Sequence, residues 1–105
     1  MIINSPEIIV ESFLKELNVP YEKEFRFHPI RKWRADYAIP SKMILLEIEG
    51  AVYQSGRHTR GEGYSKDCEK YNSAQILGYK VLRYTTGQIK TNPIQIYNDL
   101  REIIA

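Results

Sequence analysis

Three carboxylates fall within one short stretch of this sequence: Asp36 before Pro40-Ser41-Lys42, and Glu47 and Glu49 after it. The flanking residues alternate in polarity as strands do. On the first segment Trp33, Ala35, Tyr37 and Ile39 share one face, and Lys32, Arg34, Asp36 and Ala38 the other. On the second, Ile44, Leu46 and Ile48 oppose Met43, Leu45, Glu47 and Glu49. A turn centred between Ser41 and Lys42 sets Asp36 directly across from Glu47, and Arg34 across from Glu49. Side chains so opposed lie roughly 5 Å apart, where like charges destabilise the pair. The cluster therefore needs a cation. A hard divalent ion such as Mg²⁺, which takes oxygen ligands and keeps several waters, is one answer. Arg34 and nearby lysines, or a solvated hairpin with slipped register, are the other.

Further groups could join that chemistry. Glu11 borders the apolar stripe of an N-terminal helix, where it can lean over the sheet or pair with Lys15 four residues on. Between Gly50 and Gly63, Ser55, Arg57, His58 and Arg60 lie among the glycines Gly56, Gly61 and Gly63. Arginines and backbone N–H groups suit phosphate oxygens, although a polar surface loop has the same composition. Lys66 and Lys70 line one face of the helix that follows.

These groups must be positioned by a small set of elements. Ser5-Pro6 is a helix start, with Ser at the N-cap and Pro at the first helical position. The helix runs to about Leu17, with Val10, Phe13, Leu14 and Leu17 inward. Tyr21 to His28 is a strand, turned by Pro29-Ile30-Arg31 into the charged hairpin. Tyr64 to Leu77 is a helix stopped at Gly78, with Tyr64, Cys68, Tyr71, Ala74 and Leu77 as its buried stripe. Tyr79–Thr85 is a short buried strand, Thr86–Lys90 a single turn, and Asn92-Pro93 opens a last amphipathic helix with Ile96, Tyr97, Leu100 and Ile103 inward. The strand after the second helix rejoins the sheet by a crossover. The expectation is an α/β fold, a mixed central sheet with helices on both faces. Trp33, placed across the sheet from Asp36, reads as core rather than as a base-stacking platform.

The chain of 105 residues is read as a single domain, 1–105, of ordinary globular composition. Its formal charge of +2 permits nucleic-acid binding without arguing for it. The lone cysteine, Cys68, forms no internal disulfide, which suits a reducing cytoplasm, and reads as a small buried residue. No apolar run approaches a membrane span and Met1-Ile2-Ile3-Asn4 has no signal-peptide character, so no membrane association is expected. Cysteine and histidine are too few for a zinc site.

The order of elements, with Asp36 on the second strand and Glu47-Ile48-Glu49 on the third, resembles the PD-(D/E)XK nuclease superfamily. The resemblance extends to Phe25-Arg26-Phe27-His28-Pro29, Arg31-Lys32-Trp33-Arg34, Gly56-Arg57-His58-Thr59-Arg60-Gly61, Asp67-Cys68-Glu69-Lys70-Tyr71-Asn72 and Val81-Leu82-Arg83-Tyr84. These segments are similar to small phage and prophage nucleases and to very-short-patch-repair-like endonucleases. What the resemblance implies is a restriction-endonuclease-like αβββαβ core with an extra C-terminal helix. It implies a metal-dependent endodeoxyribonuclease that nicks DNA or recognises its structure, in a bacterial or phage-infected cell. Asp36 and Glu47 would hold Mg²⁺, or Mn²⁺ in its place, with the main-chain carbonyl of Ile48. Glu11, or Glu7 one turn earlier, would be the helix carboxylate that assists. Glu49 stands where the superfamily usually has its lysine, so Lys70 or Lys66 would supply that charge from another backbone position, or Glu49 would help hold a second metal. Arg31, Lys32, Arg34, Lys66 and the Arg57, His58 and Arg60 loop would track the DNA backbone. A homodimer would suit cutting both strands. The competing readings are a non-catalytic nucleic-acid-binding module of the same fold and a protein-interaction domain.

Overall fold

The computed structural model describes residues 5–50 and 61–105. Helix α1 (Pro6–Glu16) is followed by β1 (Glu22–Arg26), β2 (Arg34–Ile39), a 3₁₀ turn (Pro40–Lys42) and β3 (Ile44–Glu49). Then come α2 (Glu62–Ile76), β4 (Lys80–Thr85), α3 (Thr86–Thr91) and α4 (Pro93–Ile104). The strands form one sheet in the order β1-β2-β3-β4. Its first three strands are an antiparallel meander, and β4 joins β3 in parallel after the α2 crossover. This is the αβββαβ order expected, with helices added at the C-terminal end. Among the described residues no helix is long and apolar enough to cross a membrane.

The hairpin has the expected register. Tyr37 pairs with Leu46, Ala38 with Leu45 and Ile39 with Ile44. Its turn closes through Met43, whose φ of 56° lies in the left-handed region and whose N–H bonds the Pro40 carbonyl at 3.2 Å. Alternation then divides the core. Tyr37, Ile39, Ile44 and Leu46 pack with Val10 and Leu14 of α1, Ile89 of α3, and Ile96 and Leu100 of α4. The opposite face is thinner: Ala38 and Leu45 meet Phe27, Ala35 and Ala74 of α2. Phe25, Trp33, Tyr79 and Val81 pack against this smaller cluster.

Several expectations are corrected. Ser5 makes no side-chain cap; its hydroxyl donates to Glu7 Oε1 at 2.9 Å instead. Trp33 precedes β2, so strand alternation does not bind it. It stacks on Phe27, with ring centroids 6.2 Å apart, and joins the α2-side cluster. The inward face of α2 is also rotated from the one expected. Tyr64, at 58% exposure, and Cys68 and Leu77 face outward, while Asp67, Lys70, Tyr71 and Ala74 turn toward the sheet. The acidic end of the sheet explains this: a helix laid across carboxylates gains more from an inward lysine and tyrosine hydroxyl than from apolar groups that would desolvate them.

Candidate active site

Asp36 and Glu47 occupy the end of the hairpin beyond the Tyr37–Leu46 pair. There the Ile48 N–H donates to Asp36 Oδ2 at 2.7 Å, so a side chain takes the backbone donor that a longer ladder would use. Glu47 is the one buried charged residue in the described core, at 6% exposure. Its Oε2 has no hydrogen-bond partner among the described residues. Lys70 Nζ stands 3.4 Å from that oxygen, close enough to balance its charge but long for a charge-assisted hydrogen bond. Burial pushes the Glu47 carboxyl up to about 7; Lys70 opposes the rise, and Asp36 and Glu49 add to it. Burial also raises Asp36, against the Ile48 hydrogen bond, with Glu24 and Glu49 pushing the same way.

Glu49, one pleat beyond, is not Arg34's cross-strand mate. Arg83 of β4 donates through Nε to Glu49 Oε2 at 2.8 Å, and the Tyr71 hydroxyl lies 3.4 Å from the same oxygen. The Arg83 guanidinium sits 4.0 Å over the Tyr71 ring. Arg34 lies instead 3.8 Å from Glu24. Glu24 has a φ of 52°, and the β1–β2 pairing passes over it opposite Asp36.

Glu11 points to the other face. It accepts from the Tyr37 hydroxyl at 2.6 Å and pairs with Lys23 at 3.1 Å rather than with Lys15. The Tyr37 hydrogen bond, stronger than the opposing burial, holds its carboxyl below the usual range. Glu7, not Glu11, lines the cavity of about 370 Å³ beside Asp36, together with Lys23, Glu24, Tyr37 and Ile48. A larger, mostly apolar groove of about 600 Å³ lies between α1 and α4, away from Asp36 and Glu47.

The basic residues are dispersed. Arg31 pairs with Glu69 at 2.9 Å and lies over the Trp33 ring, and Lys66 pairs with Glu62 at 3.8 Å on the outer side of α2. Lys32 is exposed. Arg57, His58 and Arg60 lie outside the described residues. Of the two candidate lysines, only Lys70 reaches the carboxylates.

Arg83 and Tyr71 were not singled out from the sequence as site residues. Alternation on Tyr79–Thr85 was the available signal: Leu82 and Tyr84 face the α1 side, which leaves Val81 and Arg83 for the α2 side.

Among the described residues, no three His, Cys, Asp or Glu side chains converge into a metal-binding group. The donor set still fits a hard cation that is held by two carboxylates and keeps its waters. Asp36 and Glu47 supply the carboxylates, and Glu47 brings a buried oxygen without a hydrogen bond.

No protein-family model and no curated protein matches this sequence. Among solved structures, the chain is similar to the homing endonuclease I-Bth0305I catalytic domain. The TM-score is 0.71 at 19% identity, over 94% of this chain and 92% of that one. The two share a fold. At that identity the likeness is one of architecture, a restriction-endonuclease-like core whose hairpin carries Asp36 and Glu47 here.

Proposed function

We propose that this chain is a metal-dependent endodeoxyribonuclease of the PD-(D/E)XK type that nicks DNA or cuts at a structural feature of it. One observation carries the reading: the buried Glu47 oxygen that lacks a hydrogen bond, beside Asp36 and under Lys70. A purely structural sheet gains nothing from it, since a buried carboxylate whose ion pair supplies no hydrogen bond costs stability. The fold shared with a homing endonuclease catalytic domain supports the same reading.

Asp36 and Glu47 would hold Mg²⁺ or Mn²⁺. The N–H and C=O of a strand residue point to the same edge, so Ile48, whose N–H meets Asp36, offers its carbonyl on that side. The ion, when bound, supplies Lewis-acid polarisation of the scissile phosphate and acidifies water. Lys70, anchored on α2, brings positive charge to where negative charge develops, in the role of the lysine that Glu49 replaces on β3. Glu7, on the cavity wall beside Asp36, takes the place expected of Glu11 as the carboxylate that orients water. Lys32, Arg31 and the Arg57–Arg60 segment would contact the DNA backbone. The cytoplasmic setting, the phage kinship and the homodimer belong to this proposal.

The test is nicking of supercoiled plasmid and of a four-way junction in Mg²⁺, Mn²⁺ or EDTA. Metal-dependent nicking in the wild type and at least a 100-fold loss in Asp36→Asn are expected, about 3 kcal/mol of barrier. Equal nicking by the two proteins would overturn the reading. The ion pair that neutralises Glu49 favours a second reading, a DNA-binding module without catalysis. That reading predicts salt-sensitive DNA binding with no nicking in any metal.

A further inference from the structure

We infer that Arg83 is a DNA-phosphate contact of this site, and that Glu49 and Tyr71 are the residues that position it. The inference rests on the nuclease reading for its ligand and on its own geometry for the residues. Arg83 is the register partner of Glu47 on the neighbouring parallel strand. Adjacent strands are about 4.8 Å apart, so the arginine starts one strand from the buried carboxylate. Its side chain is on the α2 face, because its guanidinium covers the Tyr71 ring at 4.0 Å. Glu49 takes the Nε edge at 2.8 Å. Ring and carboxylate together fix the plane of the guanidinium. Its two terminal nitrogens are the groups that match phosphate oxygens as a two-pronged donor.

The exposures favour a ligand-facing cation over a purely structural pair. The Arg83 side chain is 41% exposed, and Glu49 behind it only 23%. β4 is the last strand of the sheet, with no strand paired on the side away from β3 among the described residues. A strand of DNA lying over the carboxylates would therefore meet the guanidinium before the acid that holds it. Glu49, at the position where the superfamily usually has a lysine, thus does its work through a cation borrowed from β4. No bond is made or broken in this role. Arg83 holds a backbone phosphate, and Glu49 and Tyr71 hold Arg83.

The experiment is fluorescence anisotropy of a labelled DNA duplex and a labelled junction, titrated with the full chain in Ca²⁺ over ~50–200 mM salt. Nicking in Mg²⁺ is measured on the same preparations. Arg83→Gln is expected to weaken binding about 5–10-fold and to reduce the salt slope by about one. Arg83→Lys should keep the slope and lose part of the affinity, since an ammonium lacks the fork. Glu49→Gln should also keep the slope, the cation being still present, but bind about 3-fold more weakly as the guanidinium loses its orientation. A structural role alone would not separate slope from affinity in this way. Arg83→Gln binding with wild-type affinity and slope would overturn the inference, while wild-type nicking in that preparation would leave the nuclease reading standing. A wild type that never nicks, with the slope still reduced in Arg83→Gln, would overturn the nuclease reading and keep the phosphate contact. Should Arg83→Gln fail to fold with Glu49 left unpaired, the double variant Glu49→Gln, Arg83→Gln removes both charges and carries the same measurement.

Discussion

Glu47 has two needs that conflict. Its place in the buried end of the hairpin disfavours charge, and the proposed chemistry requires charge. The conflict is measurable as a pH dependence. The folded carboxyl titrates at about 7, against 4.5 for an ordinary glutamate. Between those values the folded chain holds a proton that the unfolded chain has lost. Glu47 therefore lowers stability progressively as pH rises from about 4.5 to about 7, and has no further effect above it. In EDTA, urea melts of wild type and Glu47→Gln should diverge across that window. The variant should gain on the order of 1–3 kcal/mol relative to wild type from pH 4.5 to pH 8. Parallel pH profiles would show that Lys70 fully compensates the buried charge. The opposition of Asp36 and Glu47 was legible in the sequence, because alternation and a short polar turn fix a hairpin register. Their partners are less legible. Lys70 is expected only as one of two lysines and through the resemblance, and Arg83 not at all, because both reach the acids across a crossover and no local pattern gives the register of a parallel strand.

At the level of elements, that parallel register depends on how α2 ends. Leu77 caps the helix after Ile76, and Gly78 follows with a φ of 101°. Its N–H bonds Gln75, and Tyr79 N–H returns to the Ala74 carbonyl at 3.0 Å, closing the helix before β4 begins. Lys80 N–H then meets the Met43 carbonyl at 2.8 Å, which sets β4 beside β3 and Arg83 beside Glu47. A Cβ at Gly78 would meet only the Met43 methyl, at 3.7 Å, so space is not the constraint. The backbone is. Gly78→Ala should cost about 1–2 kcal/mol in urea melts, because a side chain disfavours this φ. A cost below about 0.5 kcal/mol would mean that the turn rearranges freely and does not set the register. The Gly stop is legible in the sequence; of the buried face of α2, only Tyr71 and Ala74 are. Tyr64, Cys68 and Leu77 form an apolar series at helical spacing, but the surface beneath the helix is partly acidic. Asp67 and Lys70 turn inward beside Tyr71 and Ala74, the two residues of the expected stripe that do face the sheet. Periodicity locates a stripe, and only the opposing surface decides whether that stripe is buried.

Across the whole molecule the two faces of the sheet do different work. The α1 side carries the large aliphatic core, with Leu14, Ile89, Ile96 and Leu100 almost fully buried. The α2 side carries a smaller core around Phe27, Ala38, Leu45 and Ala74, and beside it the carboxylates. Such a division lets one face tolerate unfavourable charge because the other supplies the stability. It also separates two questions that an activity assay confounds, whether the site holds a metal and whether the chain cleaves DNA. Metal binding to the folded chain raises its stability whether or not anything is cleaved. At pH 8, where Glu47 is ionised, Mg²⁺ or Mn²⁺ at ~100 times its dissociation constant should add about 2.7 kcal/mol. For a domain of this size that is a rise of roughly 10 °C or more in melting temperature. Asp36→Asn and Glu47→Gln should each lose most of the rise, while Glu11→Gln, whose carboxylate lies on the other face with Tyr37 and Lys23, should keep it. Were the wild type indifferent to divalent ions up to millimolar concentration, Lys70 alone would be the cation that the opposed acids require. The fold shared with a homing endonuclease catalytic domain would then be serving DNA binding without hydrolysis. A shift confined to the proteins with both carboxylates, with nicking absent, would instead place the defect at Glu49.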